Sequence, residues 1–545
     1  MRKIVLTCRH LLSLRSTTII ILLISVVAKI VLQLSIFSIS GDKLIQLVAA
    51  QNLLEGNGIT ISHLGLDNLT AETYTPLMGW PPGYSLAMAP LLWIFGNDYV
   101  NAAIFFDLLC VFPFFLFLIR LLDLLNLERW IKNLFILFTG LFLYPVGSGS
   151  STDFIALTCI LAGFYYLLRF MNNNGQATRL LFFASLAFFL AALFRYNYIP
   201  VSFCCCILLV VAGYFNRNKT WTRGGWKLAL FSGPLLFLLL AFQHFYTGSA
   251  TYINTPATGF YPENILKMYP LALSSITDVQ TFLSFISNHT GNYDVYGNIL
   301  FYTSHIISIA LFIYALFYLV RQKKLVLKNK EDHFLYTGLG ISICITALLI
   351  YFSIRNSAYF SASSRWTYVE EQRYYIFIVV FIQLCVFVFL FNRFTLLSLF
   401  WKRVTYICII LMILGSAHKI FYVGKTLIAS GPSFAISNPY KRIAVPVTGM
   451  FEEIKNKYPE HAIIVASRDN DICNYARLEK IRVLPAIPPA GFVQPGSLPR
   501  PIKFIVVIPK PVVAQGSLPA YLSAHYYSQT QNHYFYILDA SLSER

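Results

Sequence analysis

Eleven apolar segments alternate with polar segments along this 545-residue chain. Most of them approach the ~20 residues that an α-helix needs to cross the hydrocarbon core of a bilayer. The pattern predicts a polytopic α-helical membrane protein. Its first segment is longer than the apolar region of a signal peptide, so we expect a retained span. The predicted spans are residues 16–38, 99–122, 130–146, 151–170, 179–194, 197–215, 226–246, 297–320, 335–354, 374–392 and 403–423.

The basic residues fall mainly in every second polar segment. About 21 Lys and Arg residues lie at the N-terminus and in the loops on its side, against about six in the opposite loops. The positive-inside rule then predicts a cytoplasmic N-terminus. An odd number of spans places everything after about residue 424 on the exported side, together with loops 39–98, 247–296 and 355–373.

Composition agrees with a membrane protein. The chain is 57% hydrophobic and 12% charged, with a mean hydropathy of +0.62, whereas soluble domains carry about 25% charged residues. The net charge of +18 would suggest nucleic acid in a soluble protein. Here it suits loops beside anionic lipid, so we predict a membrane-lipid partner and no nucleic acid.

The C-terminal segment predicts a second domain. Residues 461–467 and 503–508 are typical of buried strands, and a helix-like stretch, 447–457, precedes the first. We therefore divide the chain into a membrane domain, residues 1–430, and a soluble α/β domain on the exported side, residues 431–545. About a hundred residues are enough for such a domain to bury its own core.

The first exported loop carries the most informative local pattern. Gly41-Asp42-Lys43 follows the first span directly, and a helix-like stretch, 44–55, ends at Gly56-Asn57-Gly58, a typical helix stop. Pro81-Pro82-Gly83-Tyr84 then leads into an apolar stretch, 85–95, that is too short to span. We predict a juxtamembrane or re-entrant helix there.

Charged residues recur at the outer ends of several predicted spans: Asp42, Asp153, Arg195 and Arg373. Ionisable side chains near a membrane are costly and mark functional sites. Each also has a purely structural interpretation, because Asp42 and Asp153 suit helix caps and the two arginines suit anchors whose charged ends reach water. Their shared side and depth favours a common site. Arg355 and Arg365 lie in the same exported loop as Arg373.

The order of these motifs resembles the GT-C superfamily of glycosyltransferases that use polyprenyl-phosphate sugars, especially its protein-mannosyltransferase and aminoarabinose-transferase relatives (glycosyltransferase-39-like). The resemblance covers the whole chain. It implies a GT-C fold with a general base in the first exported loop. The motifs that carry it are Asp42, Ala50-Gln51-Asn52-Leu53-Leu54-Glu55-Gly56-Asn57-Gly58, Pro81-Pro82-Gly83-Tyr84, Trp93-Ile94-Phe95-Gly96, Ser151-Thr152-Asp153-Phe154, Leu193-Phe194-Arg195-Tyr196, Glu371-Gln372-Arg373-Tyr374 and the strand end Val465-Ala466-Ser467.

The resemblance implies roles for individual residues. Asp42 and Asp153 would be catalytic, with Asp42 as the general base. Many relatives carry a second acid directly after the base, where this chain has Lys43, and no D-x-D pair occurs in the loop. A divalent metal is therefore possible but unsupported, and no cofactor is implied. Donor phosphate or sugar binding falls to Arg195, Arg373, Arg355, Arg365, Tyr374 and Tyr196. Acceptor or loop positioning falls to Lys43, Glu55, Tyr74, Pro82 and Tyr84.

The chemistry of such a donor suits these residue types. A lipid phosphate leaves as an anion, and arginine binds phosphate bidentately. An acceptor hydroxyl needs a carboxylate to take its proton. The predicted reaction is a single displacement with inversion, from a polyprenyl-phosphate sugar to a glycan, lipid or protein acceptor. The alternatives are a lipid-linked sugar transporter or flippase, and an O-antigen polymerase or ligase, but no internal repeat typical of transporters is visible.

Overall fold

The structure is a computed structural model of the full chain. It describes residues 15–35, 39, 41–77, 79–142, 151–248, 260, 262, 327, 329–355, 372–392, 394–430, 439–489, 493–494, 501–510, 520–530, 533–539 and 541–542. The described residues form two compact units. One comprises residues 1–33, 107–147 and 151–429, and the other comprises residues 34–106, 148–150 and 430–545.

Helices dominate the described part of the chain. Those before the C-terminal region are α1 Arg15–Ser35, α2 Gly41–Leu54, α3 Gly83–Ile94, α4 Tyr99–Leu124, α5 Arg129–Leu141, α6 Ser151–Asn172, α7 Thr178–Phe194, α8 Ile199–Phe215, α9 Lys219–Thr247, α10 Lys330–Arg355, α11 Ile376–Cys385 and α12 Leu399–Ser430. A π-helical turn, Val386–Phe391, continues α11. A hairpin, β1 Thr60–Gly65 and β2 Asn68–Pro76, lies between α2 and α3.

Ten of the eleven predicted spans coincide with described helices. Seven described helices, α1, α4, α6, α8, α9, α10 and α12, contain stretches long and apolar enough to cross a membrane. Three further predicted spans coincide with the shorter helices α5, α7 and α11 with its π turn. The one remaining predicted span, 297–320, lies outside the described residues, as does most of loops 247–296 and 355–373. The prediction of a polytopic helical membrane protein is confirmed.

Small residues let the membrane helices approach closely. A Cβ atom on Gly163 of α6 would meet the ring of Phe188 of α7 at 2.4 Å, and one on Gly338 of α10 would collide with Phe381 of α11. Such small positions are typical of packed membrane helices.

Hydroxyl groups connect three of these helices. Ser202 of α8 donates to Ser232 of α9 (2.5 Å), which donates to Ser185 of α7 (2.9 Å). This buried chain links α7, the helix that ends directly before Arg195, to α8 and α9.

The C-terminal region is the predicted small α/β fold. Its elements are α13 Pro439–Lys457, β3 Ala462–Ala466, α14 Asn470–Leu478, β4 Arg482–Leu484, β5 Val493–Gln494, β6 Ile502–Pro509, β7 Tyr526–Gln529, β8 His533–Asp539 and β9 Ser541–Leu542. The main sheet has the order β4-β3-β6-β8-β7. Strands β4, β3 and β6 are parallel, and β8 and β7 add antiparallel pairs.

Both faces of this sheet are covered, which explains its almost continuous apolar strands. Because successive side chains alternate between faces, Val465 and Ile505 pack towards α13 and α14, whereas Ile464 and Phe504 pack on the other face. Leucines of the β1–β2 hairpin, Leu64 and Leu69, belong to the core on that second face. Neither the hairpin nor its packing with the tail was predicted from the sequence.

The helix predicted over 44–55 is α2, which begins at Gly41, three residues earlier. Its stop is confirmed: Gly56 has φ +85° and Gly58 has φ +74°, the left-handed region that glycine enters without strain. The predicted helix over 447–457 likewise begins earlier, at Pro439. The short helix predicted after Pro81-Pro82 is α3.

Candidate functional site

A buried ion pair lies at one end of the membrane helices. Asp153 is in the first turn of α6, and Arg195 follows the last residue of α7 in an extended conformation. Arg195 Nη2 donates to Asp153 Oδ2 at 2.6 Å, and Nε lies 2.5 Å from Oδ1. Asp153 is 2% exposed and Arg195 is 7% exposed. The fork-like geometry is that of a strong bidentate pair.

A third segment joins this pair. Tyr374 lies in the 3₁₀ turn Gln372–Tyr375 that precedes α11. The guanidinium carbon of Arg195 is 5.9 Å from the centre of the Tyr374 ring, within the range of a cation–π contact. Tyr196, next to Arg195, is half-buried. The structure therefore brings together four of the predicted site residues from three distant segments.

The other predicted arginines are placed less fully. Arg373 lies in the same 3₁₀ turn as Tyr374, with its side chain outside the described part. Arg355 is the exposed last residue of α10. Arg365 lies outside the described residues. The ion pair itself carries no net charge.

Asp42 belongs to the second unit, where it is half-buried as the second residue of α2. An acid in a first turn interacts favourably with the helix dipole. The residue that accepts from the first amide of this helix is another acid: Gly41 N donates to Asp471 Oδ1 at 3.1 Å. Lys43, directly after Asp42, is 3% exposed.

Asp471 was missed by the sequence analysis. It lies in the first turn of α14, 430 residues from Gly41 in the chain. Burial raises the pKa of Asp471, the charges of Asp469 and Asp42 raise it further, and the Gly41 amide opposes the shift. One signal could have found it: acids that follow a buried parallel strand gather at the carboxyl edge of a sheet, where sites commonly form.

Four predicted positioning residues occupy the same unit in two different settings. Tyr84 is fully buried and packs edge-on against Phe106 with ring centres 5.4 Å apart, and Pro82 precedes α3. Glu55 and Tyr74 lie on the surface. Glu55 Oε1 is 3.5 Å from Lys480 Nζ, and the Tyr74 hydroxyl donates to Glu72 at 3.2 Å.

A buried lysine also escaped the sequence analysis. Lys29 lies within α1, is 1% exposed, and donates through Nζ to the carbonyl of Phe142 at 2.6 Å, where α5 ends. A cation at a helix C-terminus is stabilised by the helix dipole. One turn further along α1, the side-chain amide of Gln33 is buried with no hydrogen-bond partner among the described residues. An ionisable residue within an apolar span is the signal that marks Lys29.

Within the described ranges, no three His, Cys, Asp or Glu side chains are grouped as a metal site would require.

No family model matches the chain, and no curated protein matches it. A solved structure, ArnT from Cupriavidus metallidurans bound to undecaprenyl phosphate, matches over 95% of this chain and 97% of that chain, with 12% identity and a TM-score of 0.46. At this identity and TM-score, the similarity assigns neither a substrate nor a residue role to this chain.

Proposed function

We propose that this protein is an inverting glycosyltransferase that moves a sugar from a polyprenyl-phosphate donor to an acceptor hydroxyl at the outer membrane face. The observation that carries the proposal is the buried Asp153–Arg195 pair at the helix ends, with Tyr374 beside it. Burying two charges at a membrane helix end is costly, and a membrane-embedded guanidinium is suited to a lipid-borne phosphate.

In the proposed reaction, Asp42 takes the proton of the acceptor hydroxyl. The acceptor oxygen forms a bond to the sugar C1 while the bond between C1 and the phosphate oxygen breaks. The electron pair of that bond leaves with the polyprenyl phosphate. The sugar carbon is inverted, because one displacement occurs and no covalent sugar–enzyme intermediate forms.

Arg195 would bind the donor phosphate, and Asp153 would hold the guanidinium plane in place. Because Asp153 cancels the charge of Arg195, we assign the remaining positive charge to Arg373, which neighbours Tyr374 in sequence, and to Arg355 and Arg365. Tyr196 and Tyr374 would flank the phosphate or sugar. Lys43, Glu55, Tyr74, Pro82 and Tyr84 would position the acceptor or the first exported loop.

The proposal extends to topology and domains. We place the N-terminus in the cytoplasm of a bacterial inner or plasma membrane, residues 1–430 in the membrane domain, and residues 431–545 on the exported side. Single-cysteine labelling tests this placement. Position 480 should react from outside and position 220 from inside, since both are exposed; labelling of position 480 only after permeabilisation would place the tail in the cytoplasm.

The reaction is tested with purified protein in nanodiscs and a set of radiolabelled polyprenyl-phosphate sugars. Transfer predicts release of free polyprenyl phosphate together with a labelled acceptor product. The same donors in proteoliposomes test the flippase alternative, since movement of intact lipid between leaflets without release of lipid phosphate would refute the transferase proposal.

A further inference from the structure

Helix α14 contacts the chain directly before Asp42. Asp471 accepts from the Gly41 amide at 3.1 Å, and the Tyr475 hydroxyl donates to the carbonyl of Ile39 at 2.5 Å. Asp471 and Tyr475 are four residues apart, so they lie one turn apart on the same face of α14.

The contact with Ile39 is thoroughly desolvated. Tyr475 is 4% exposed and Ile39 is 5% exposed. A hydrogen bond in such a setting is costly to lose, because the carbonyl would remain buried without its donor. The backbone that leads into Asp42 is therefore fixed from the tail, not by the loop alone.

The start of α14 is itself held rigidly. Asp469 accepts from the amides of Asp471 (2.9 Å) and Ile472 (3.3 Å), which is the arrangement of a strong N-cap. Ser467 Oγ accepts from the Asp469 amide and donates to the carbonyl of Val507 in β6. This chain of bonds ties Asp471 to the central sheet.

The far end of α14 holds a different part of the same loop. Arg477 Nε donates to the carbonyl of Ser62 in β1 at 2.5 Å. After the helix, Arg482 donates to the carbonyl of Leu69 in β2, and the Tyr99 hydroxyl donates to Glu479. One short helix thus contacts the beginning and the hairpin of the segment that carries Asp42.

We propose that α14 is a positioning element, in which Asp471 and Tyr475 fix the backbone at Ile39 and Gly41 and so hold the Asp42 carboxylate in its reactive orientation. The proposal rests on the proposed function, in which Asp42 is the base. Asp471 is a positioning residue here, since it acts through the backbone next to Asp42. Burial, then the charges of Asp469 and Asp42, raise the pKa of Asp471.

Two measurements on the full-length protein separate this proposal from the proposed function. Hydrogen–deuterium exchange over residues 39–44 directly reports how firmly this backbone is fixed, and it needs no substrate. Steady-state kinetics with a polyprenyl-phosphate sugar reports its consequence. The variants are Asp471→Ala, Asp471→Asn and Tyr475→Phe, because Asn keeps an acceptor oxygen at the same position and Ala removes it.

We expect Asp471→Ala to speed exchange at the Gly41 amide about 10-fold, the loss of one charge-assisted hydrogen bond. Its kcat should fall about 10-fold or more, since small displacements of a reacting group are costly, while KM stays within about twofold because Asp471 binds no substrate in this proposal. Asp471→Asn should recover most of both losses. Tyr475→Phe should reproduce the effects of Asp471→Ala more weakly.

Matched controls come from the same tail. Tyr527→Phe removes a hydroxyl whose partner is the exposed Glu453, and Asp539→Asn alters an acid paired with Lys503. Both should match wild type over residues 39–44.

Unchanged hydrogen–deuterium exchange over residues 39–44 in Asp471→Ala and Tyr475→Phe would refute the proposal that α14 fixes this backbone. A loss of turnover in Asp471→Asn as deep as in Asp42→Asn would also refute it, because Asp471 would then exchange protons itself. If exchange is faster in Asp471→Ala but the wild-type protein shows no transferase activity, the positioning role of α14 would stand and the proposed function would be refuted.

Discussion

The two units hold their buried acids in opposite ways. In the membrane unit, Asp153 is matched by Arg195 at 2.5–2.6 Å, so the pair is neutral. In the other unit, Asp471 bonds to a backbone amide beside Asp42, and burial and neighbouring acids raise the pKa of Asp471. Opposite charges stabilise the ionised form of a carboxylate, whereas like charges make it more basic.

This contrast indicates a division of work. A matched pair fixes the orientation of a guanidinium, whereas a group of neighbouring acids is suited to proton transfer. The proposed roles of Arg195 in phosphate binding and Asp42 in proton removal follow this difference.

The largest expected effect is the loss of turnover when the proposed base, Asp42, is replaced. Asp42→Asn should lower turnover by ~10²–10⁴-fold, the usual contribution of a positioned base, with donor affinity unchanged. Turnover and donor titration of the purified variant measure the two quantities. Asp98→Asn is the matched control, because Asp98 caps α4 by accepting from the Asn101 amide and Asn caps as well as Asp. Wild-type turnover in Asp42→Asn would end the base assignment.

The second prediction breaks the matched pair. Asp153→Asn and Arg195→Met should each destabilise the protein by about 3–5 kcal/mol, since one buried charge is left alone. The double variant should recover much of that loss. Thermal unfolding of all three in nanodiscs measures the coupling, and additive effects would show that the two charges do not stabilise each other.

Arg195→Lys sharpens the same test. A point charge cannot copy the bidentate fork, so donor affinity should fall about 10-fold even where the variant folds. The matched control is Arg217→Lys, which makes the same exchange in the polar turn between α8 and α9 and should leave donor affinity unchanged. Wild-type donor affinity in Arg195→Lys would refute the phosphate-binding role and shift attention to Arg373, Arg355 and Arg365.

The membrane architecture was predictable from sequence because the bilayer imposes it. A span needs a long apolar helix whatever its neighbours are, so the segments at 151–170 and 197–215 were recognisable in isolation and coincide with α6 and α8. The helix stop at Gly56 was equally local. The strands at 462–466 and 502–509 were also recognisable, because each is an apolar run in its own right.

The site depends on packing, which the pattern does not contain. Asp153 and Arg195 were predicted as separate candidates, but their pairing requires α6 and α7 to lie side by side. Asp471 meets Gly41 across 430 residues, and no local spacing encodes that contact. The β1–β2 hairpin was missed because its exposed strand alternates weakly, with burial confined to residues such as Leu69.

A smaller effect concerns Lys29, a buried cation in the same unit as the Asp153–Arg195 pair. Lys29→Met should destabilise the protein by about 1–3 kcal/mol, since the Phe142 carbonyl loses its donor. If Lys29 serves only as a cap, donor affinity stays at the wild-type level. A fall in donor affinity would add Lys29 to the phosphate-binding residues. Lys227→Met, which removes an exposed bond to Thr178, is the control for both measurements.

The smallest expected effect concerns the pH dependence of stability through His533 in β8. Burial lowers the pKa of His533, and the charge of Asp469, which caps α14, opposes that shift. A histidine with a lowered pKa in the folded state binds its proton more readily when unfolded. Its contribution to stability is therefore present above the unfolded value, about 6.5, and is lost as the pH falls through the folded value. Between about pH 7.5 and about pH 5, the Tm of the wild type should fall more steeply than that of His533→Gln. His525→Gln, at an exposed position, should follow the wild type. Parallel curves for wild type and His533→Gln would show that protonation of His533 does not destabilise the fold beside Asp469.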